Sequence, residues 1–286
     1  MKVAELIKDI DSISPALQIL PQLMDLLRDD NATLDDIIAL IKLDASLSAQ
    51  VLKISNSGYY GLTTGSLEAA VNRLGQREVY KIVAIVCGKE SLNKPVEQYA
   101  IDDGELWENS VATGIIMESL SKRLGEEHDI AYTIGLLHSV GKLVIDEKIE
   151  GGYAQVYDYE NKHGVTLMDA ERQVLGFTHA ELAGELLQAW NFPENIYHPV
   201  AHQYEPSKAD KHERYALMIY LANYLVAAIG MNYGKDAWAV FGEDDAITAL
   251  NLSELDIQEL ILEAHAAIDE VKGSLLPKRP VSAPEF

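Results

Sequence analysis

The chain has 286 residues, of which 23 are Lys or Arg and 45 are Asp or Glu, so its formal charge is −22. This acidity argues against direct nucleic-acid binding, because such a surface needs clustered Lys and Arg to displace the counterions of phosphate. Hydrophobic residues make up 48% of the chain and Cys87 is its one cysteine. These values predict a folded protein without an intrachain disulfide or a cysteine-rich zinc module.

Two sequence features predict a cytoplasmic protein without membrane contact. The N-terminal segment has charges within its apolar stretch and no small-residue cleavage site, so it does not have the pattern of a signal peptide. The apolar run 216–231 is interrupted by Asn223 and by tyrosines, which suits a buried helix better than a membrane span.

Helical periodicity dominates the pattern, and an all-α fold is expected. Apolar residues recur at spacings of three and four, whereas alternation with a period of two is hard to find. In the first hundred residues, Thr33 with Asp36 resembles a capping box and Asn56-Ser57-Gly58 ends a helix. The predicted helices of this part cover 34–43, 47–55, 67–74 and 78–86.

A polar stretch after Gly88, with Pro95 and two aspartates, predicts the boundary between an N-terminal helical subdomain, 1–100, and a second one, 101–276. In the second, Thr178 with Glu181 has capping-box spacing and Pro193 suits the first turn of a helix. The tail 277–286 is expected to be mobile. The predicted helices of the second subdomain cover 104–124, 127–137, 140–149, 153–163, 179–190, 193–202, 216–230 and 255–271.

Glycine-rich nucleotide motifs, the G-x-S-x-G elbow and the H-E-x-x-H zinc motif are absent from the sequence. What remains is a set of histidines on predicted helices, of which His138, His179 and His202 have apolar surroundings. A single helical histidine is more often a hydrogen-bonded core or boundary residue than a metal ligand. Cys87, inside an apolar run, is expected to be an inert core thiol.

The segment 135–143, GLLHSVGKL, resembles the LLHDIGK stretch of HD-domain metal-dependent phosphohydrolases. In that superfamily the adjacent His and Asp bind metal together with an earlier His and a later Asp. The resemblance places His138, Ser139, Asn109 and Asn223 at those four positions, so only His138 is retained. Neutral hydroxyl and amide groups bring no charge to offset the desolvation of a divalent cation, so neither a metal nor another cofactor is expected.

Further motifs lie in the segments 54–62, 66–71, 74–75 and 178–181 with Trp190. These motifs resemble the HDOD family, the HD-related output domain of bacterial signalling proteins. The resemblance covers about residues 13–205 and implies an N-terminal helical half packed on a degenerate HD-like half. It also implies a non-catalytic, regulatory role in signal transduction, with other signalling proteins as partners and a small ligand as a further possibility.

Several alternatives stay open at this stage. A phosphohydrolase with a rebuilt metal site would use His138, His179 and His202, and His198 with His202 could bind a transition metal as a pair. The amides of Asn109 and Asn223 would bond within the old metal cavity or line a small-molecule pocket there.

Two further positions also have two interpretations. Lys142 could bind an anion as part of a pocket with His179 and His202, or could be a solvated charge. The segment with Asn56, Gly58, Tyr59, Tyr60 and Gly61 is either an interaction loop or a helix stop followed by a turn.

Overall fold

The fold is built from α-helices joined by short turns. The computed structural model of the chain describes residues 3–7, 15–56, 60, 64–149, 151, 153–231 and 243–275. Within these ranges, extended backbone pairs only in an isolated bridge between Val96 and Ile101, so the predicted all-α fold is confirmed. The helices are α1 (Val3–Leu6), α2 (Ile19–Arg28), α3 (Leu34–Lys42), α4 (Ala45–Ser55), α5 (Leu67–Leu74), α6 (Gln76–Leu92), α7 (Glu105–Leu124), α8 (His128–Leu137), α9 (Val140–Lys148), α10 (Tyr153–His163), α11 (Leu167–Val174), α12 (His179–Ala189), α13 (Glu194–Ala201), α14 (Glu213–Ala228), α15 (Glu243–Ala249) and α16 (Glu254–Leu275).

Side-chain caps fix where the helices of the N-terminal half begin. The Thr33 hydroxyl accepts from the N–H of Asp36 at 3.3 Å, and the Asp36 carboxylate accepts from the N–H of Thr33 at 2.8 Å. This is the predicted capping box of α3. Asp44 caps α4 and Ser66 caps α5 through their side chains alone, which accept from backbone N–H groups of the first turn. Each cap satisfies backbone donors that a first helical turn leaves unpaired.

Helix α6 is the buried centre of this half, packing against α2, α4 and α5 on one side and α7 and α8 on the other. Between residues 79 and 88 every residue except Lys81 is buried, as a helix that is apolar on most faces requires. The helix is longer than the predicted 78–86, because it begins at Gln76 and continues to the buried Leu92. Cys87 lies in this core, and burial raises the pKa of its thiol to about 12.

The segment between α6 and α7 is the predicted subdomain boundary. It is closed by the Val96–Ile101 bridge and by the N–H of Gly104, which donates to the carbonyl of Asn93 at 2.8 Å. Gly104 has a φ of +84°, a conformation that glycine adopts without strain. The helices on either side pack together through α6 and α8, and the division at residue 100 stays a prediction.

Helices α7 and α8 approach very closely in the C-terminal half. A Cβ atom on Gly135 would lie 2.6 Å from the Cα of Gly114, so only glycine allows this approach. Helices α14 and α16 pack on α7, and α12 packs on both α9 and α13. Helices α7, α13 and α14 contact α8, and α12 contacts α9, so these four helices pack against the two that contain most of the segment 135–143. None of the helices within the described ranges is long and apolar enough to cross a membrane.

The structure differs from the predicted elements at a few places. Pro193 is the N-cap of α13 and does not lie in its first turn, because its extended ψ of 157° is outside the helical region. Helix α2 was not predicted, although Pro21 in its first turn is compatible with a helix. Helix α11 was also not predicted, because it is only 8 residues long and half of its residues are polar. The predicted tail lies outside the described residues.

Candidate functional site

His138 and Ser139 form the turn between α8 and α9. His138 is the C-cap of α8 and Ser139 the N-cap of α9. The two residues are buried, with 3% and 1% of their surfaces exposed. The Nδ1–H of His138 donates to the carbonyl oxygen of Gly135 at 2.7 Å, which fixes the ring on its own helix. The Ser139 hydroxyl has no hydrogen-bond partner among the described residues.

Gln203 links this turn to α14, and sequence analysis did not identify it. Its side chain is fully buried. The Nε2 amide donates to the carbonyl of His138 at 2.9 Å and to that of Val200 at 3.1 Å. Its Oε1 accepts from Nδ2 of Asn223 at 3.1 Å. Asn223 is therefore connected to His138 through one glutamine. The bond between Gln203 and His138 spans 65 positions of the sequence, and no local pattern indicates it.

Asn109 has a different partner. Its Nδ2 donates at 3.0 Å to the carbonyl of Met231, just beyond the end of α14. The amide thus connects α7 to the segment that follows α14. The side chains of Asn109 and Asn223 each have a structural hydrogen bond, and these bonds go to separate partners.

The donor set does not fit the divalent metal that an HD frame implies. Of the four positions, only His138 offers a group that binds metals strongly, and its Nδ1 is already bonded to a carbonyl. Hard cations need anionic oxygen ligands, which Ser139, Asn109 and Asn223 do not supply. Across the described ranges, no three His, Cys, Asp or Glu side chains are arranged to hold a metal ion.

A second polar centre is built around Glu171, which is fully buried on α11. Its carboxylate accepts from the hydroxyls of Tyr99 and Tyr153, each at 2.6 Å. It also accepts from the backbone N–H of His179 at 2.7 Å, and its Oε2 lies 3.1 Å from Nδ1 of His179. Burial by itself would raise the pKa of Glu171, but the charge of His179 and these hydrogen bonds lower it below the ordinary value. The carboxylate stays ionised inside the core.

The sequence contains a signal for Glu171. Leu167, Ala170, Glu171 and Val174 have the spacing of one helical face, and a glutamate on an apolar face needs buried donors. Tyr99 and Tyr153 supply such donors, and their pKa values are raised by burial and by the neighbouring carboxylate, so they remain protonated. The partners come from three separate segments, which a sequence pattern does not reveal.

Lys142 and His179 lie at the same tyrosine. The Nζ of Lys142 is 5.3 Å from the ring centre of Tyr99, and the ring of His179 meets the Tyr99 ring edge-on at 5.8 Å. Only 5% of Lys142 is exposed, so the interpretation as a solvated charge is wrong. The ammonium group of Lys142 lies instead over the face of the Tyr99 ring, where a cation is attracted by the aromatic electrons.

His202 lies among other histidines. Its ring centre is 4.7 Å from that of His198, which in turn is 5.8 Å from that of His212. Burial, and then the charge of His198, lower the pKa of His202. The rings of His138, His179 and His202 thus contact different neighbours. Pro199 is the sixth residue of α13.

The predicted interaction loop is described only at Asn56 and Tyr60, whereas Gly58, Tyr59 and Gly61 lie outside the described residues. Asn56 Nδ2 donates to the carbonyl of Thr64 at 2.7 Å, and its Oδ1 accepts from the N–H of Thr64 at 2.9 Å. The asparagine therefore closes the segment at its base. The Tyr60 hydroxyl donates to Glu78 at 3.3 Å.

Comparison with known families gives a match to the HDOD domain over residues 13–206. The chain belongs to the HDOD family. This match confirms the resemblance seen in the sequence motifs and covers the turn with His138, the Glu171 centre and Gln203. Asn223 lies beyond its end.

Individual proteins are similar to this chain at low sequence identity. An uncharacterised protein of Treponema pallidum (strain Nichols) is 26% identical over 204 residues, which span 70% of this chain but only 39% of that protein. A Shewanella amazonensis SB2B structure named "Putative phosphohydrolase" has a TM-score of 0.71 at 22% identity, covering 95% of this chain and 98% of that one.

Two further structures show the same similarity of fold. A Marinobacter aquaeolei VT8 structure named "Putative signal transduction protein" has a TM-score of 0.69 at 22% identity, covering 93% of this chain and 60% of that one. An HDOD domain protein of unknown function from Geobacter sulfurreducens has a TM-score of 0.64 at 19% identity, with 90% of each chain covered.

Proposed function

We propose that this HDOD chain is a non-catalytic regulatory domain of bacterial signal transduction that works in the cytoplasm by binding other proteins or a small ligand. The proposal is carried by the neutral residues Ser139, Asn109 and Asn223, which the resemblance to HD domains assigns to three of the four metal positions. Such a site lacks the charge that would hold a divalent cation and activate its water.

The hydrogen bonds of these residues support the proposal further. Asn223 donates to Gln203, which donates to the His138 carbonyl, and Asn109 donates to the Met231 carbonyl. The amides thus tie helices together at the positions where an enzyme of this superfamily would place metal ligands. A regulatory domain needs these bonds only to keep its shape.

The alternative is a phosphohydrolase with a rebuilt site made of His138, His179 and His202. The name of the Shewanella protein belongs to this class, while that of the Marinobacter protein belongs to signal transduction. The alternative requires three histidines to meet one ion. Because His179 is bonded to Glu171 and His202 packs against His198, the contacts favour the regulatory proposal.

Metal content and turnover test the non-catalytic part of the proposal. The full chain, produced in medium with added Mn²⁺ and Fe²⁺, is analysed for bound metal and assayed on phosphoesters and cyclic dinucleotides. We expect substoichiometric metal and no turnover above that of a matched His138→Asn variant. Turnover that disappears in His138→Asn would overturn the proposal.

Partner binding tests the regulatory part. The tagged full chain is used to capture proteins from a lysate of the source bacterium, and each captured protein is purified and titrated against the chain. We expect at least one saturable complex whose affinity falls with salt, because the chain carries a charge of −22. Failure to find any saturable protein or small-molecule binding would count against this role.

A further inference from the structure

A pocket of about 210 Å³ opens between α11, the start of α12, the end of α13 and α14. Its polar lining includes Asp169, Arg172, Tyr204, Glu205 and Tyr220, and its apolar lining comes from Met168 and two alanines. None of the four HD metal positions lines it. The volume suits a molecule of about one ring with a short polar arm.

The charges around this pocket have a negative excess. The guanidinium of Arg172 is bonded to Glu181 at 2.9 Å and to Glu205 at 2.6 Å, so two carboxylates already offset its charge. Lys208 forms an ion pair with Glu205 at 2.5 Å. Asp169 adds a third carboxylate at the exposed rim. The lining itself holds two carboxylates, those of Glu205 and Asp169, and one cation, Arg172, so an added anion would meet net repulsion.

The Glu171 centre fixes the position of Tyr204, an aromatic residue of the lining, through His179. The hydroxyl of Tyr204 lies 3.3 Å from Nε2 of His179, and the two rings meet edge-on at 5.5 Å. His179 is fully buried and its other ring nitrogen is fixed by Glu171. The position of Tyr204 is thus set before any ligand arrives, which lowers the entropic cost of binding.

We propose that this pocket binds a small organic cation, namely a primary amine or guanidine that carries an apolar group of about one ring. Its charged end is held by Glu205 and Asp169, and the faces of Tyr204 and Tyr220 add the attraction of an aromatic ring for a cation. Its apolar end packs on Met168, Ala180 and Ala201. The overall charge of −22 raises the local concentration of cations around the chain.

The test uses three compounds of one shape on the full chain. Phenethylamine, 2-phenylethanol and 3-phenylpropionate are titrated by calorimetry and by chemical-shift changes in the α11–α14 region. We expect saturable binding of phenethylamine, with the carboxylate at least about tenfold weaker and the alcohol in between.

Two matched substitutions locate the site. Glu205→Gln should weaken phenethylamine about tenfold, and Asp169→Asn, at the exposed rim, should weaken it less. Glu194→Gln removes the same charge and also breaks an ion pair with a lysine, Lys211, but lies outside the pocket. It should change the affinity less than twofold, and thermal unfolding of each variant checks that the fold is kept.

Several results would overturn the inference. One is equal affinity for the amine and the carboxylate. Another is an equal loss of phenethylamine affinity in Glu205→Gln and Glu194→Gln. A third is the lack of saturable binding up to about 10 mM, where the affinity would fall below that of a typical weak site. Because the HD metal positions lie outside the pocket, any of these results would leave the regulatory proposal and its metal and partner tests unaffected.

Discussion

Glu171 carries its charge in the interior because every neighbouring donor is directed at its carboxylate. Two tyrosine hydroxyls and two groups of His179 bond to its oxygens. A buried carboxylate without such partners would be protonated or would unfold the chain. The residue therefore stabilises the contact between α11, α12 and the segment before α7.

Replacing this carboxylate should be costly. In Glu171→Gln, the amide NH₂ would face groups that themselves donate, so we expect a loss of about 3–5 kcal/mol in the free energy of unfolding. The matched control is Glu147→Gln, which breaks an exposed pair with Lys148 at 3.1 Å and should cost less than about 1 kcal/mol. Urea titration measures both, and similar small losses would show that the Glu171 centre contributes little.

The histidine cluster predicts a pH dependence. The pKa values of His202 and His212 both lie below the ordinary 6.5, and burial is the main cause. The charge of His198 lowers the pKa of His202 further. For His212, the charge of Glu194 acts in the opposite direction and offsets part of the effect of burial. Since the unfolded chain binds these protons more readily than the folded one, stability is full above about pH 6.5 and falls as the pH drops toward the folded-state pKa values.

The measurement compares urea midpoints at pH 7.5 and pH 5.5. The parent should lose stability between these values, and a His202→Gln, His212→Gln double variant should lose less. His163→Gln serves as the control, because His163 is exposed and stacks only on Tyr159 within the described contacts. A double variant with the same pH slope as the parent would contradict the prediction.

At the scale of the elements, glycine determines how closely α9 and α12 approach. A Cβ atom on Gly141 would lie 2.0 Å from the carbonyl oxygen of His179 and 2.8 Å from the backbone N of Ala183. Both atoms belong to the backbone of α12, which cannot move aside as a side chain end can. Gly141 is thus required by packing, without reference to metal chemistry.

Gly141→Ala should accordingly be destabilising by about 3 kcal/mol, at the upper end of the usual cost of overpacking. It should also shift the signals of His179 and Tyr204, which α12 positions. Gly65→Ala is the control, because no atom lies within 4 Å of a Cβ placed there. Equal stability of the two variants in urea would show that α9 and α12 separate easily.

At the scale of the whole molecule, the HD frame predicts that metal binding can be restored. The triple variant Asn109→His, Ser139→Asp, Asn223→Asp supplies three ligands beside His138. We expect it to gain thermal stability on addition of Mn²⁺ or Fe²⁺, by about 2.7 kcal/mol at a metal concentration 100 times the dissociation constant. The parent should not respond.

The single changes should fail for a reason that the structure provides. Asn223→Asp would place a carboxylate against Oε1 of Gln203, whose amide also bonds the His138 carbonyl. Burial of a carboxylate without a partner raises the pKa of that carboxyl group and destabilises the fold. A folded triple variant without any metal-dependent shift would mean that the four positions do not converge.

The sequence by itself determined the elements that depend on local chemistry. The capping boxes at Thr33 and Thr178 and the glycine end of α7 at Gly125 were predictable, because each depends on residues within one turn of each other. The family and the all-α class were also predictable, since motifs and the helical period are properties of the linear chain.

Only the tertiary structure decided which polar groups meet. Gln203 contacts His138 across 65 positions, and Tyr99 contacts Glu171 across 72. Lys142, which local rules place in solvent, is buried because α12 and Tyr99 cover it. Long-range partners of this kind are selected by the need to pair every polar group that packing removes from water, and that need arises only when the helices come together.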